Sequence, residues 1–521
     1  MGKDIIIGLD AGTSVIKAVA FNSEGKLVAK HSTPNLYTHG ENGHAEQDMD
    51  RTWAAAADVL AGLARKIPDL DKRLVAISIT GQGDGTWLLD THNRPLGPAL
   101  LWLDSRASGI VSSKIAKPDY PEHYQRTGTG LNACQQSSQL LWIREHQPER
   151  FAKAATAFHA KDWLYFCLTG ERATDPSEAV FTFGNFRTRQ YDDEVIGRLG
   201  LNGSAELLPE IVDGTLASHP LAPDAARQCG LTAGVPVILG YVDVICAALG
   251  GGLYDGVSTE SGCSIVGTTG MHIKLVESPD KATLDPACTG YTMCFPAPGM
   301  LAQMQSNMAA TLNIDWMLDV ALEVCADLGV AADRRALIAI ADKKIPLLPD
   351  ASALFHPYIS NAGERGPFLD PDARASFVGL ENAHGFYHML KAVFEGLAFA
   401  GWDCYSAMGD IPNDIRLAGG ASNSTIFRAI MASVLGRPIR HVEQEESGAA
   451  GAAMMAAVQT GIYPDMASAA RNWVYPLLGE PVLPNAIAES QYHPLRNIYR
   501  QTRRQLQPVW HAFHQHKGHA Q

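Results

Sequence analysis

The sequence is short of positive charge and of paired cysteines. Lys and Arg number 42 against 55 Asp and Glu, and the resulting formal net charge of −13 opposes a nucleic-acid backbone as partner. The nine cysteines are odd in number and lack the close pairs of a metal site or a disulfide framework. We therefore expect buried thiols in a reducing compartment, the cytoplasm, and no nucleic-acid partner.

Segments for targeting, membrane insertion and Walker-type phosphate binding are also missing. No signal-peptide core precedes the strand-like run at Ile5, and no Gly-Lys-Ser or Gly-Lys-Thr stands at P-loop spacing. The apolar run at residues 235–254 has spanning length but contains Pro236, Asp243 and three consecutive glycines. A charge at a helix centre in lipid costs roughly 2.5 to 3.5 kcal/mol. We expect a buried strand, turn and helix there, and no membrane partner.

The chain is too long for one hydrophobic core, because cores stop growing near about 250 to 300 residues. Strand-like and helical runs alternate through the N-terminal half, which is typical of α/β structure. The opening predicts a β-hairpin whose turn holds Asp10 and Thr13, and a second glycine-threonine turn follows at Thr268. Such turns also recur by chance. The recurrence predicts two related domains, residues 1–254 and 255–521.

Two glycine turns, besides the one at Thr268, are candidates for nucleotide binding. In the first, Asp10 ends a strand just before Gly12, where backbone amides can approach phosphate oxygens while a metal bridges to the carboxylate. An Asp that merely starts a tight turn has the same pattern. The turn at Gly420 leaves room for a flat ring against the backbone, although a plain strand-to-helix connection looks similar.

Asp243 lies between a buried strand and a helix of small residues. A carboxylate at the carboxyl end of a strand is well placed to take a proton from a substrate hydroxyl. Asp is also favoured as a helix N-cap, so the residues alone leave both interpretations open.

The C-terminal half carries the longest helical pattern, at residues 383–408, which predicts a core helix at a domain junction. Beyond Pro484 we expect a last helix that packs and then frays. Its histidines are expected to be solvated rather than metal-binding: His511, His514, His516 and His519.

Taken in order, the short motifs resemble those of the FGGY-type carbohydrate kinases, the glycerol kinase, xylulokinase and ribulokinase type within the superfamily of actin, hexokinase and the chaperone ATPases. The resemblance runs from Ile5 to about Ile462. The motifs are Asp10-Ala11-Gly12-Thr13, Glu46-Gln47-Asp48, Trp102-Leu103-Asp104-Ser105-Arg106, Lys161-Asp162-Trp163-Leu164, Thr174-Asp175-Pro176-Ser177, Asp243, Gly267-Thr268-Thr269-Gly270, Gly363-Glu364-Arg365-Gly366-Pro367 and Gly419-Gly420-Ala421.

The resemblance implies an α/β fold with two actin/hexokinase-like (ribonuclease H-like) domains around a central cleft that closes over ATP, Mg²⁺ and a polyol or sugar. It implies that Asp243 is the general base and that Asp10 is the magnesium-associated carboxylate. The implied nucleotide and phosphate contacts are Asp10, Gly12, Thr13, Ser14, Gly267, Thr268, Gly420, Ala421, Asn423 and Ser424.

The substrate loop departs from the better-known relatives. Gln82 is followed by Gly83-Asp84, where glycerol kinases carry Arg-Glu and xylulokinases usually carry Met-His. This loop and residues 128–136 resemble family members that act on erythritol. Gly83 would then leave room for a four-carbon polyol, unless it only serves a turn. The implied polyol-binding residues are Gln82, Asp84, Trp102, Asp104 and Asp243.

Three other functions remain in view. One is a kinase for another polyol or ketose, such as xylulose, ribulose or glycerol. The second is an actin-like or chaperone-like ATPase without a small-molecule acceptor, against which the Gln82 loop argues. A regulatory pseudokinase is disfavoured because Asp10, Thr13, Asp243 and Thr268 are all present. A homodimer is left open as the assembly.

Overall fold

The computed structural model describes residues 3–518 and contains two six-stranded sheets with the same central arrangement. The strands of the first sheet are β1 Ile5–Ala11, β2 Val15–Asn22, β3 Leu27–Pro34, β4 Leu74–Gly81, β5 His219–Pro220 and β6 Pro236–Leu239. Those of the second sheet are β7 Ser261–Val266, β8 Gly270–Val276, β9 Tyr291–Cys294, β10 Leu301–Asn307, β11 Asp414–Ala418 and β12 Ile439–His441.

The two sheets share the topology of five strands, and the sixth strand lies at opposite edges: β5 beside β6 in the first sheet and β9 beside β10 in the second. The first has the order β5-β6-β4-β1-β2-β3 and the second the order β9-β10-β8-β7-β11-β12. In each, a central strand pairs antiparallel with the next strand in sequence on one side and parallel with a later strand on the other. The turns at Thr13 and Thr268 therefore occupy the same position in the two hairpins. Their recurrence in the sequence reflects a structural repeat.

Helices cover the sheets. They are α1 Met49–Ala64, α2 Leu70–Arg73, α3 Ser108–Ile115, α4 Tyr120–Thr127, α5 Gln136–His146, α6 Pro148–Lys153, α7 Ala160–Thr169, α8 Pro176–Phe183, α9 Asp193–Leu199, α10 Pro223–Cys229, α11 Asp243–Gly250, α12 Thr311–Asp327, α13 Arg334–Lys344, α14 Phe386–Ala407, α15 Thr425–Leu435, α16 Ser447–Gln459, α17 Met466–Trp473 and α18 Ala486–Gly518.

Short strands also pair outside the two sheets. They are Thr38–His39, Ala45–Gln47, Trp87–Leu89, Ala99–Leu100, Thr156–Phe158, Ala173–Thr174, Gly184–Asn185, Gln190–Tyr191, Glu210–Ile211, Leu354–His356 and Ser376–Val378.

Helix α16 comes from the C-terminal half of the sequence but packs on the first sheet. Its alanines and methionines share one buried cluster with Ile6, Ala76 and Ile238 on β1, β4 and β6. Helix α11 crosses it at close range: a Cβ added at Gly451 would lie 2.0 Å from the carbonyl oxygen of Cys246. The position of α11, which begins with Asp243, therefore depends on a glycine in α16.

Several predicted elements are confirmed. The first hairpin is β1–β2, the run at 235–254 forms β6 and α11, and the long C-terminal pattern is α14, nearly all of which is buried. Among residues 3–518, no helix is both long enough and apolar enough to cross a bilayer.

Two of the tail histidines, His511 and His514, are exposed, as the sequence predicts, and each also contacts a carboxylate. His511 Nε2 lies 3.1 Å from Asp370 Oδ2, and His514 Nδ1 lies 3.2 Å from Asp372 Oδ1. The physical reason is that Trp510 packs between Tyr358 and Phe368, which brings this face of α18 against the loop that carries the two carboxylates. His516 is exposed, as expected, and His519 lies outside the described residues.

We predict that Gly451→Ala lowers the thermal midpoint, because the added methyl group overlaps the backbone of α11. Overpacking of this kind costs about 1 to 3 kcal/mol. The matched control is Gly109→Ala, since a Cβ at that helical glycine has no heavy atom within 4 Å. Differential scanning calorimetry checks both variants. Equal midpoints for the two variants would show that α11 can move away from α16 without a loss of stability.

Candidate active site

The first glycine turn presents a carboxylate without a hydrogen-bond donor of its own. Asp10 ends β1, and no described residue donates a hydrogen bond to its side chain. Burial raises its pKa to about 6 against the opposing effect of Lys17. Lys17 lies opposite Asp10 on β2 and bonds Glu446 at 3.1 Å. The carboxylate is therefore held in a setting where an added cation would stabilise it.

Thr13 joins the first glycine turn to the loop of Gln82. Its hydroxyl donates to Gln82 Oε1 at 2.9 Å and accepts from Trp102 Nε1 at 2.8 Å. Gln82 Nε2 donates to Gln47 Oε1 at 2.8 Å, and Gln47 Nε2 donates to the Thr13 carbonyl at 3.2 Å. Three predicted residues thus form one cluster. The sequence assigned no role to Gln47, although it lies in one of the recognised motifs.

Asp84 offers a buried oxygen that no described residue satisfies. Its φ is +56°, and Cys134 Sγ donates to Oδ2 at 3.2 Å, while Oδ1 is buried without a partner. Burial raises the pKa of this carboxyl. An unsatisfied buried acceptor is costly unless a ligand supplies the donor. Asp84 is therefore suited to a substrate hydroxyl.

Asp243 is the first residue of α11, and Val242 is the residue at the N-cap position. The helix-cap interpretation of Asp243 is therefore wrong. Burial raises the pKa of its carboxyl to about 7, and the negative charges of Asp10 and Asp84 raise it further, against the effect of Lys161. A carboxyl that titrates near neutrality can act as a general base at cellular pH.

The second and third turns place their backbones differently. In the second turn, at the start of α12, the Gly267 carbonyl accepts from the Thr311 amide at 2.9 Å and the Thr268 carbonyl accepts from the Ala310 amide at 2.8 Å. Thr268 remains exposed. In the third turn Gly420, Ala421 and Asn423 form a short 3₁₀ helix between β11 and α15.

Ser424 also has a structural role, and its assignment as a nucleotide contact stays a prediction. Its hydroxyl accepts from the amide of Phe427 at 3.2 Å and caps α15. Ser14 and Asn423 are exposed, as contacts to a ligand require, while Gly12 bonds Asn35 through its carbonyl at 2.9 Å.

Asp104 is not brought together with the polyol residues. Its side chain is almost fully buried and accepts from the amide of Ala45 at 2.9 Å and from Arg106 Nη2 at 2.7 Å. Arg106 Nε donates to the other oxygen of Asp104, Oδ1, so both carboxylate oxygens are occupied. Arg106 also donates to Glu46. Asp104 therefore organises the loop that carries Trp102, and the prediction of a direct polyol contact is corrected.

Sequence reasoning missed a buried ionic network behind the site. Lys161 Nζ is fully buried and lies 2.7 Å from Asp162 Oδ1 and 2.5 Å from Asp175 Oδ2. Asp175 accepts from the hydroxyl of Ser177, which accepts in turn from the amide of Val242 at 3.0 Å. An unbroken chain of polar contacts thus runs from Lys161 to the residue before Asp243.

A second branch of this network reaches Asp84. His159 Nδ1 lies 3.0 Å from Asp162, and His159 Nε2 lies 3.2 Å from Glu178 Oε2. Glu178, whose pKa burial raises well above the ordinary range, accepts from the Asp84 amide at 3.4 Å. The sequence carries one signal of this network: the charged residues of the motifs at Lys161 and Thr174 stand among apolar neighbours.

Gly83 packs closely against this branch. A Cβ at Gly83 would lie 2.5 Å from Val242 and 2.8 Å from Glu178 Oε1, and its φ is not in the left-handed region. A left-handed turn therefore does not explain this glycine, and room for the polyol stays a prediction.

Comparison with known proteins decides the family. The N-terminal domain model of the FGGY family of carbohydrate kinases matches residues 5–250, and the C-terminal domain model matches residues 262–460. The chain belongs to the FGGY family. It is therefore a carbohydrate kinase, a transferase that uses ATP and a small sugar or polyol substrate.

Individual FGGY relatives match nearly end to end. The chain is 47% identical to erythritol kinase from Brucella abortus over 97% of both chains. It is 29% identical to xylulose kinase from Escherichia coli over 96% of this chain and 99% of the other. The crystal structure of xylulose kinase from Rhodospirillum rubrum superposes with a TM-score of 0.87 at 26% identity, covering 97% and 100%. This likeness confirms the predicted α/β class with two actin/hexokinase-like domains.

We predict that Ser177→Ala lowers kcat about tenfold and leaves the KM for ATP unchanged. The change leaves the buried Val242 amide without an acceptor, at a cost of about 1 to 3 kcal/mol, and loosens the segment before Asp243. The matched control is Ser137→Ala, because the Ser137 hydroxyl is buried without a hydrogen-bond partner. Steady-state kinetics test the pair. Wild-type kcat in Ser177→Ala would rule out this positioning role.

Proposed function

We propose that the chain transfers the γ-phosphoryl group of ATP to a terminal hydroxyl of erythritol. The observation that carries the proposal is a base with a pKa of about 7, Asp243, beside a second buried carboxylate, Asp84, that has an unsatisfied oxygen. The choice of erythritol is supported by the 47% identity to a kinase named for that substrate.

In the proposed reaction, Asp243 removes the proton from the attacking hydroxyl as that oxygen bonds to the γ-phosphorus, while the bond from this phosphorus to the bridging oxygen breaks and ADP leaves. Asp84 Oδ1 accepts from another hydroxyl of the polyol and fixes its orientation. Gln82 and Trp102 form the wall between polyol and phosphate through their bonds to Thr13. Phosphoryl transfer depends mainly on such alignment and on charge neutralisation, so few residues need to change their covalent state.

Mg²⁺ fits the residues around Asp10. The carboxylate has a raised pKa, lacks a donor among the described residues, and repels the charge of Asp243. Carboxylate oxygen is a ligand that Mg²⁺ prefers, and the ion would neutralise the phosphates of ATP. The residues we propose to contact the nucleotide are Gly12, Thr13, Ser14, Gly267, Thr268, Gly420, Ala421 and Asn423.

We further propose that the functional halves divide near Tyr254, with the polyol residues in 1–254 and the adenine turn in 255–521. The placement of Gln82, Asp84 and Asp243 on or beside strands of the first sheet supports this division. A cytoplasmic location and a homodimer stay predictions.

We predict turnover with erythritol well above that with glycerol, xylulose or ribulose in a coupled assay for ADP. Ketoses belong in the panel because a relative at 29% identity is named a xylulose kinase. A larger kcat/KM for xylulose or glycerol would replace the substrate while leaving the kinase class intact. ATP hydrolysis that no acceptor stimulates would favour the ATPase class.

We predict that kcat/KM declines as the pH falls below about 7, because Asp243 must be deprotonated to act and its pKa is about 7. Asp243→Asn should lose phosphoryl transfer by at least about a thousandfold and still bind ATP. The control is Asp58→Asn, at an exposed position of α1. A rate unaffected by Asp243→Asn would remove this residue from the base role.

The same substitution has a predicted effect on stability. Because the pKa of Asp243 in the folded chain, about 7, exceeds its ordinary value of 3.8, the folded protein binds the extra proton between those values. Stability from this group therefore decreases as pH rises across that window. Because asparagine does not titrate, Asp243→Asn does not lose stability as the pH rises. Its thermal midpoint near about pH 8 should therefore equal or exceed that of the wild type. A lower midpoint would contradict this.

A further inference from the structure

A recess of about 800 Å³ has both halves of the chain in its walls and none of the residues of the three glycine turns. It borders the Gln82 loop, because burial raises the pKa of Asp84 and the charge of Arg365 in the recess opposes that rise. Residues of the α4–α5 connection form one side. Residues of the second sheet, of the 365–369 loop and of α18 form the rest. The polar and charged residues used below are Asn132, Asp285, Gln305, Arg365, Arg500, Arg503 and Arg504.

Two of the four arginines, Arg365 and Arg500, donate a hydrogen bond through Nε, and Nε of Arg503 makes an ion-pair contact. Arg365 Nε donates to Ser306 Oγ at 2.9 Å, while Arg500 Nε and Arg503 Nε lie 2.7 and 3.2 Å from the two oxygens of Asp403. Within residues 3–518, the terminal nitrogens of these three guanidinium groups have no hydrogen-bond acceptor.

Aromatic rings fix two of these side chains. The Arg500 guanidinium lies 4.5 Å from the ring centre of Trp402, and that of Arg503 lies 4.2 Å from the ring centre of Phe368. A guanidinium group held by its Nε and by a ring face has little freedom left to lose when it binds a ligand. The free ends of the forks are therefore preorganised donors.

The recess is electropositive in an acidic protein. Four arginines and two aspartates, Asp285 and Asp403, line it, so four minus two leaves two positive charges, whereas the whole chain carries −13. Asn132 adds a neutral acceptor, because its Nδ2 donates to the Gly130 carbonyl and the Tyr291 hydroxyl and no described residue donates to its Oδ1. Gln305 is buried, and its amide bonds Thr289. An anion with a hydroxylated body matches this lining.

We propose that this recess binds a small phosphate monoester, with the phosphate held by the arginine forks and the hydroxylated part against the amide oxygen of Asn132. Paired guanidinium forks suit a tetrahedral dianion because each can donate two parallel hydrogen bonds. The ligand is either the phosphorylated product of this enzyme or another phosphorylated metabolite. Because both halves of the chain form the walls, a bound ester stabilises the folded enzyme.

Isothermal titration calorimetry on the full-length wild type and variants tests the site. The probes are inorganic phosphate, the polyol phosphate that the enzyme makes, glucose 6-phosphate and the dicarboxylate malonate. Arg504→Gln is the main variant, because Arg504 is exposed and has no ion-pair partner among the described residues. Arg500→Gln is the second, with a thermal midpoint measured to show that it folds. Arg334→Gln, on the exposed face of α13, removes the same charge elsewhere.

We expect each arginine variant at the recess to weaken ester binding at least about tenfold, and Arg334→Gln to leave it unchanged. Binding of the product alone would identify the product as ligand, and binding of all esters would identify the phosphate group as the feature recognised. Both results support the site. Equal affinities in all variants, tighter binding of malonate than of any ester, or no binding at millimolar concentration would overturn it. Binding is measured without turnover, so this proposal and the proposed kinase function can fail separately.

Discussion

The ammonium group of Lys161, enclosed between the carboxylates of Asp162 and Asp175, is the interaction on which both sides of the site depend. A fully buried ion pair is weakly stabilising at best, because desolvation offsets most of the attraction, but removing one partner is costly. The positions of Lys161, Asp162 and Asp175 relative to one another are therefore fixed. One branch of hydrogen bonds transmits that geometry to Val242, and the other reaches Asp84 through Glu178. The loop of Asp84 and the segment before Asp243 are thus positioned from one buried point.

The three carboxylates that lie in front of this network carry like charges, which repel one another. Asp10, Asp84 and Asp243 each have a pKa raised by burial, and Asp243 is also affected by the other two. Such a set of desolvated carboxylates is unfavourable on its own and is stabilised by protons, by hydroxyl donors or by a cation. The acidic composition therefore does not oppose a phosphate ligand. It requires that the ligand arrive with a positive counterion.

Sequence predicted the architecture better than the side-chain contacts. Turn chemistry and hydrophobic periodicity are local, so both hairpins, α14 and the place of Asp243 at a strand end could be inferred. The partner of a polar side chain depends on tertiary packing. Asp104 faces Arg106, Ser424 caps its own helix and His511 reaches Asp370, and none of these choices leaves a periodic signal. The Lys161 network was within the recognised motifs, but its burial was not evident.

Helix α16 has a consequence for how the molecule can be divided. The apolar face of the first sheet, including Ile6 and Ala76, is covered by a helix that the chain supplies nearly two hundred residues after Tyr254. A fragment ending at Tyr254 would expose that face to water and lose the contact that seats α11. The two structural repeats are therefore not independent modules, and a ribosome must finish most of the polypeptide before Asp243 can take its final place.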